Sequence, residues 1–214
     1  MITRGETDHM EIALDTVSKE IYVTQRWKLN FIDDIEYPWT PEEKQYYRQE
    51  VKRNIYECWD SQAYAIVNSQ RGSAFNREYG KIPFLIRVKL EFIETGQHWT
   101  VDIQKRATRE RGDTNTNWIA RVIKISNLSI APYRTKKGKW MREAVVHEFG
   151  HALGNTKHTG DINAGDEYNM GHPLFGDKKS IMNRGKELRH RHFTHVRDIL
   201  QKMFPSSFFC IRLR

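Results

Sequence analysis

The stretch Arg142 to Gly154, REAVVHEFGHALG, constrains this chain more than any other. At about 100° per residue, Val145, Val146, Phe149 and Leu153 share one side of a helix, and His147 and His151 share the other. One face suits a core and the opposite face suits a cleft. Gly154-Asn155 then ends the helix, since both residues tolerate the left-handed cap conformation. His147-Glu148-Phe149-Gly150-His151 is an H-E-x-x-H sequence. Imidazoles four residues apart on a helix point the same way, so the two can bind one metal ion with Glu148 beside a water on that ion. A structural zinc is closed by four ligands and needs no carboxylate at its side. The glutamate therefore favours a catalytic site with three protein ligands and an open position, in which Glu148 relays protons.

Downstream lies Ser180-Ile181-Met182-Asn183. Together with the run His147 to Gly154, it resembles the zincin metallopeptidases, and the metzincin-like branch in particular. The resemblance implies an α+β, zincin-like fold: an N-terminal mixed sheet with a backing helix and the active-site helix, then a smaller irregular C-terminal subdomain ending in a helix. It implies Zn²⁺ as cofactor, bound by His147, His151 and a third residue. It also implies Glu148 as general base in peptide-bond hydrolysis, Gly154 turning the chain under the metal, and Met182 as a hydrophobic floor. A peptide or protein substrate would lie along an edge strand above the metal, and Trp118 to Ser126 is the expected edge.

The third ligand departs from that template. Its usual position, six residues after His151, holds Lys157, which cannot serve while protonated. Asp166, in Gly165-Asp166-Glu167-Tyr168, resembles the Asp-x-Tyr that carries the third ligand in some secreted bacterial metzincin-like proteases, and ranks first. Zinc accepts such an oxygen ligand, although Asp in a loop also serves as a cap or turn residue. His158, one residue late, Glu167 and His192 stay open. His192 falls on the apolar side of the last helix, where a histidine must find a partner; a satisfied core histidine, a third ligand and an oxyanion donor are its three readings.

The run from the early Trp-containing strand to Arg189-His190-Arg191-His192-Phe193 is also similar to bacterial metallopeptidase effector or toxin domains. That likeness implies delivery by a specialised secretion machine, with a carrier and a cognate immunity protein as partners; otherwise the chain is expected in the cytoplasm. The N-terminal residues lack the apolar core of a secretory signal, and no apolar run is long enough to span a membrane. The net charge of +8 is scattered, without a nucleic-acid motif, and reads as a solvated basic surface. A basic surface would also suit a cell-wall peptide amidase. A non-catalytic zinc-binding interaction module is the reading from a different class. Two cysteines, Cys58 and Cys210, make no disulfide framework and no Cys-type zinc site.

The 214 residues suffice for one domain with a real core. Residues 1–18 read as a loose leader, 19–154 as the N-terminal subdomain and 155–214 as the C-terminal one. Ile21 to Phe31 is rich in β-branched and aromatic residues and predicts a strand. Thr40-Pro41-Glu42-Glu43 starts a helix running to about Asp60. Ser61 to Lys81 predicts a short strand and a Gly-containing loop. Pro83 to Ile93 and His98 to Gln104 predict strands joined as a hairpin at Thr95-Gly96. Arg106 to Asn117 reads as a polar loop, Lys136-Lys137-Gly138 as a loop, and Asn155 to Lys179 as irregular. A helix with Phe193, Val196, Leu200 and Met203 on one face, joined by Ile199, ends at Pro205, and the tail SSFFCIRLR either packs on the body or meets a partner.

Overall fold

The computed structural model describes residues 1–68, 73–106, 114–134, 140–141 and 143–214. The expected Lys136-Lys137-Gly138 loop lies outside them. The fold is α+β: among the described residues, four α-helices pack with a nine-stranded mixed sheet.

The sheet is built around one long strand. Strand β1 (Ile2–Glu6) and β2 (Glu11–Asp15) form an antiparallel pair, and β2 lies against the first half of β3 (Glu20–Ile32). Residues 1–18 are therefore not a loose leader. Met10, Ile12 and Leu14 are fully buried, and this apolar anchorage, spread among polar neighbours, orders the segment. After β3, helix α1 (Pro41–Trp59) begins as expected, with Thr40 and Glu43 in a reciprocal capping box and Pro41 in the first turn. Its buried face carries Tyr47, Val51, Ile55 and Trp59. Strand β4 (Ala63–Val67) follows, then α2 (Ala74–Tyr79), a helix where the sequence predicts a Gly-containing loop. Ser73 caps it, and Phe75 stacks 4.5 Å from Phe204.

Strands β5 (Pro83–Phe92) and β6 (Trp99–Gln104) do not form the expected hairpin. β5 runs parallel to β3 from Glu20 to Trp27; β6 runs parallel to its other side from Trp27 to Ile32. The chain thus crosses β3 at Trp27, where the N–H of Ile93 bonds to the Trp27 carbonyl and that of His98 to Arg26. Gly96, at φ +77°, supplies the bend. The crossover lets both segments direct alternate residues into one core: Phe84, Ile86 and Leu90 from β5, and Trp99, Val101 and Ile103 from β6.

The expected edge strand is corrected too. Val122–Ser126 is β8, parallel to β6, but it is covered by β7 (Asn115–Asn117), which runs antiparallel to it and forms the edge. β7 belongs to a stretch read as polar loop because Thr114-Asn115-Thr116-Asn117 has no apolar alternation. Two-residue strands β9 (Tyr133–Arg134) and β10 (Trp140–Met141) lead to α3 (Ala144–Ala152). The segment after α3 is irregular, as expected, until α4 (Thr194–Met203). The chain does not end in that helix. β11 (Phe209–Leu213) pairs antiparallel with β4 and closes the opposite sheet edge, so the apolar tail packs on the body. Neither cysteine is in a disulfide among the described residues, and both are half-buried.

Removing residues 1–16 should cost about 5 kcal/mol or more, since three large side chains lose their burial. Urea unfolding of the truncated chain checks this, and an unchanged midpoint would mean that the hairpin is dispensable.

Candidate metal centre

Helix α3 is held rigidly from behind. Val145, Phe149 and Leu153 are buried as the helical spacing predicts. Phe149 meets Trp59 edge-on at 5.7 Å and Trp27 at 6.1 Å. The Trp59 indole N–H donates to the Val146 carbonyl at 2.9 Å. At the C-terminal end, the buried Gln25 amide donates to the Ala152 carbonyl at 2.7 Å, satisfying a helix-end acceptor. Gly154 sits at φ +104°, and a Cβ there would meet His195 at 2.4 Å, so both backbone conformation and space require glycine. Beneath the helix, a Cβ on Gly150 would meet the Met182 sulfur at 2.5 Å. Met182 is thus packed directly against the helix that carries the histidines.

The opposite face presents the histidines. His147 donates its Nδ1–H to the Ile181 carbonyl at 3.0 Å, and His151 donates its own to the Asn155 carbonyl at 2.7 Å. A carbonyl only accepts, so both rings carry a proton on Nδ1 and face the cleft with Nε2, which donates to Asp166 while protonated and is the atom left to ligate a metal once it loses that proton. Asp166 Oδ1 lies 2.9 Å from His147 Nε2 and 3.1 Å from His151 Nε2, and the two nitrogens are 3.2 Å apart. Ligands at about 2.0–2.1 Å from a tetrahedral zinc are about 3.3 Å from one another, so the three atoms need only a slight widening around an ion. The cluster could hold a metal ion, and it unites the three residues expected as ligands.

Charge in the cluster is mutually supported. Burial opposes ionisation of Asp166, but hydrogen bonding to His147 and His151 holds its carboxyl well below the usual carboxylate range. Burial pushes His151 down, and the contacts with Asp166 and Glu148 outweigh it and raise the imidazole above its ordinary value. Glu148 is 3% exposed, and its Oε2 accepts from the Thr116 hydroxyl at 2.9 Å. The edge strand therefore orients the glutamate. Thr116 was not anticipated, because its segment carried no strand signal.

The other candidates for third ligand are placed elsewhere. His158 is exposed in a single 3₁₀ turn, Lys157–Thr159, outside the cluster. Glu167 turns away from the metal centre and makes a two-bond ion pair with Arg191 at 2.8 and 3.0 Å. His192, in the 3₁₀ turn His190–Phe193 ahead of α4, is 1% exposed. Its Nδ1 accepts from the Arg189 N–H at 3.0 Å and its Nε2 lies 3.2 Å from the Ser180 hydroxyl. It is a satisfied core histidine.

These residues act as a clamp. The Glu167 N–H donates to the Met182 carbonyl at 3.0 Å, and the Asn183 amide donates to the Glu167 carbonyl at 3.0 Å. The side chain of Glu167 meets Arg191, which also bonds Asp177 at 2.7 Å, and Asp177 makes two bonds of 2.8 Å with Arg189. Asp166 is thereby fixed one residue from a buried anchor. Comparison with known proteins finds no family model, no curated protein and no solved structure that matches this chain. Among the described residues, no helix is long and apolar enough to cross a membrane.

Burial raises the Glu167 carboxyl, but hydrogen bonds from His192 and Arg191 pull it from 4.5 down to about 2. Its stabilisation is therefore complete above about pH 4.5 and is lost as pH falls through about 2. Arg191→Met should cost about 3 kcal/mol at pH 7, because it strands a buried carboxylate. That cost should shrink as pH falls from 4.5 toward 2. Urea melts of both chains across this range check it, and a pH-independent difference would mean that the pair is not the clamp.

Proposed function

We propose that this chain is a zinc-dependent endopeptidase of the zincin type, with His147, His151 and Asp166 as metal ligands and Glu148 as general base. The observation that carries the reading is the convergence of two Nδ1-anchored imidazoles and one carboxylate oxygen, with Glu148 on the same helix and held by the edge strand. Two nitrogens and one oxygen are a donor set that suits zinc with a position left open. The packing of Met182 under Gly150 and the left-handed Gly154 support the zincin-like form of the site.

A bound zinc supplies Lewis acidity, lowering the pKa of a water toward about 7 and polarising a carbonyl. The protein does the rest. Glu148 takes a proton from the attacking water and later passes it to the amide nitrogen that leaves. Thr116 fixes Oε2, so the carboxylate has one orientation for both transfers. The Ile181 and Asn155 carbonyls keep both imidazoles in the tautomer that coordinates. The exposed edge of β7 is available to pair with an extended peptide.

Glu148→Gln should retain zinc and the folded state and lose casein hydrolysis by at least about a thousandfold. Full activity in that variant would remove Glu148 from the mechanism. Cleavage of purified cell wall in place of casein would make the chain a wall-peptide amidase using the same groups. Asp166→Ala should weaken zinc binding by more than about a hundredfold, the upper end of losses from outer-shell changes, while His158→Ala leaves it unchanged. Competition with a chromophoric chelator measures both, and the reverse order would exchange the two residues' roles.

A further inference from the structure

The metal centre opens into a cleft of about 440 Å³. Six ionisable side chains line it: Glu148, His151, Asp166, Lys157, Tyr168 and His172. The first three belong to the metal centre. Lys157 and His172 join in none of its contacts.

The Lys157 side chain is exposed and makes no hydrogen bond or ion pair among the described residues. His172 accepts the Leu174 N–H on its Nδ1 at 3.1 Å, which leaves the ring proton on Nε2. That Nε2–H is buried and has no partner among the described residues. A buried donor without an acceptor is destabilising, and its place in a cleft wall points to an acceptor that arrives with a ligand. With a divalent ion bound, the charges of Asp166 and Glu148 are offset. The uncompensated charge of the cleft is then the Lys157 ammonium, at the position where the zincin template would have a ligand.

We propose, resting on the peptidase reading above, that the cleft selects peptides with an aspartate or glutamate beside the scissile bond: Lys157 pairs with that carboxylate, and the His172 Nε2–H donates to an oxygen of the same segment. No bond is made or broken in this step. It is a specificity contact, and it makes acidic segments the substrate class.

The test uses a degenerate decapeptide library with two readouts. The zinc-loaded full chain digests it, and cut sites are sequenced; the zinc-loaded Glu148→Gln chain captures it, and bound peptides are sequenced without turnover. Asp and Glu should be enriched about tenfold at one fixed position in both. Lys157→Glu should replace that enrichment with Lys and Arg. His172→Phe should weaken capture several-fold while leaving the melting temperature unchanged or higher, because it removes an unpaired buried donor. Acidic enrichment in capture without any cleavage would sustain this proposal and refute the peptidase reading. No acidic enrichment, no capture of any peptide, or a preference that survives Lys157→Glu would overturn the proposal. Unchanged capture by a destabilised His172→Phe chain would overturn the role of His172.

Discussion

The imidazole of His147 gives its Nδ1–H to the carbonyl of Ile181, and that of His151 gives its own to Asn155. Everything the site can do depends on these two bonds. They place a ring proton on each Nδ1, they aim both Nε2 atoms at one point, and they tie the helix that carries the histidines to segments that follow it. Ile181 precedes the methionine that packs under Gly150, and Asn155 follows the left-handed Gly154. The Asn155 amide donates to the Gly150 and His192 carbonyls at 2.8 and 2.9 Å, so the carbonyl that receives His151 belongs to a residue that is itself fixed.

The third donor is placed by a different device. Asp166 lies in a segment without regular structure, following Gly165 at φ +127°. Its position comes from its neighbour: Glu167 is 2% exposed, bonded through its backbone to Met182 and Asn183 and through its carboxylate to Arg191. A buried ion pair contributes little net stability, because desolvation offsets the attraction, yet it imposes one geometry. Here that geometry is what sets the Asp166 carboxylate at the histidines. Lys157 meanwhile remains in the cleft wall.

Much of this was readable from residue order alone, and the parts that were not share a cause. Helix α1 and helix α3 announced themselves, since capping residues and a 3.6-residue apolar period are local signals. The pair His147 and His151 came with the period, and Asp166 came from a likeness to Asp-x-Tyr. Thr116 was hidden, because a three-residue polar edge strand has no period and becomes a strand only through pairing with β8. The N-terminal hairpin was hidden in the same way: Met10, Ile12 and Leu14 look sparse until β3 covers them. The crossover at Trp27 is a choice between two sides of a strand, and a Thr-Gly turn is compatible with either. Glu167 and His192 look like ligands in a sequence, and only their partners Arg191 and Ser180 make them structural.

The central claim is that His147, His151 and Asp166 bind one zinc and leave a position open. X-ray absorption at the zinc edge of the loaded full-length chain tests it directly. The account predicts one tightly held ion, four-coordinate, with two imidazoles and two oxygen donors, no sulfur, and loss of one oxygen donor or of the ion itself in Asp166→Ala. Three imidazoles in the first shell, sulfur ligation, or no stoichiometric zinc would contradict it.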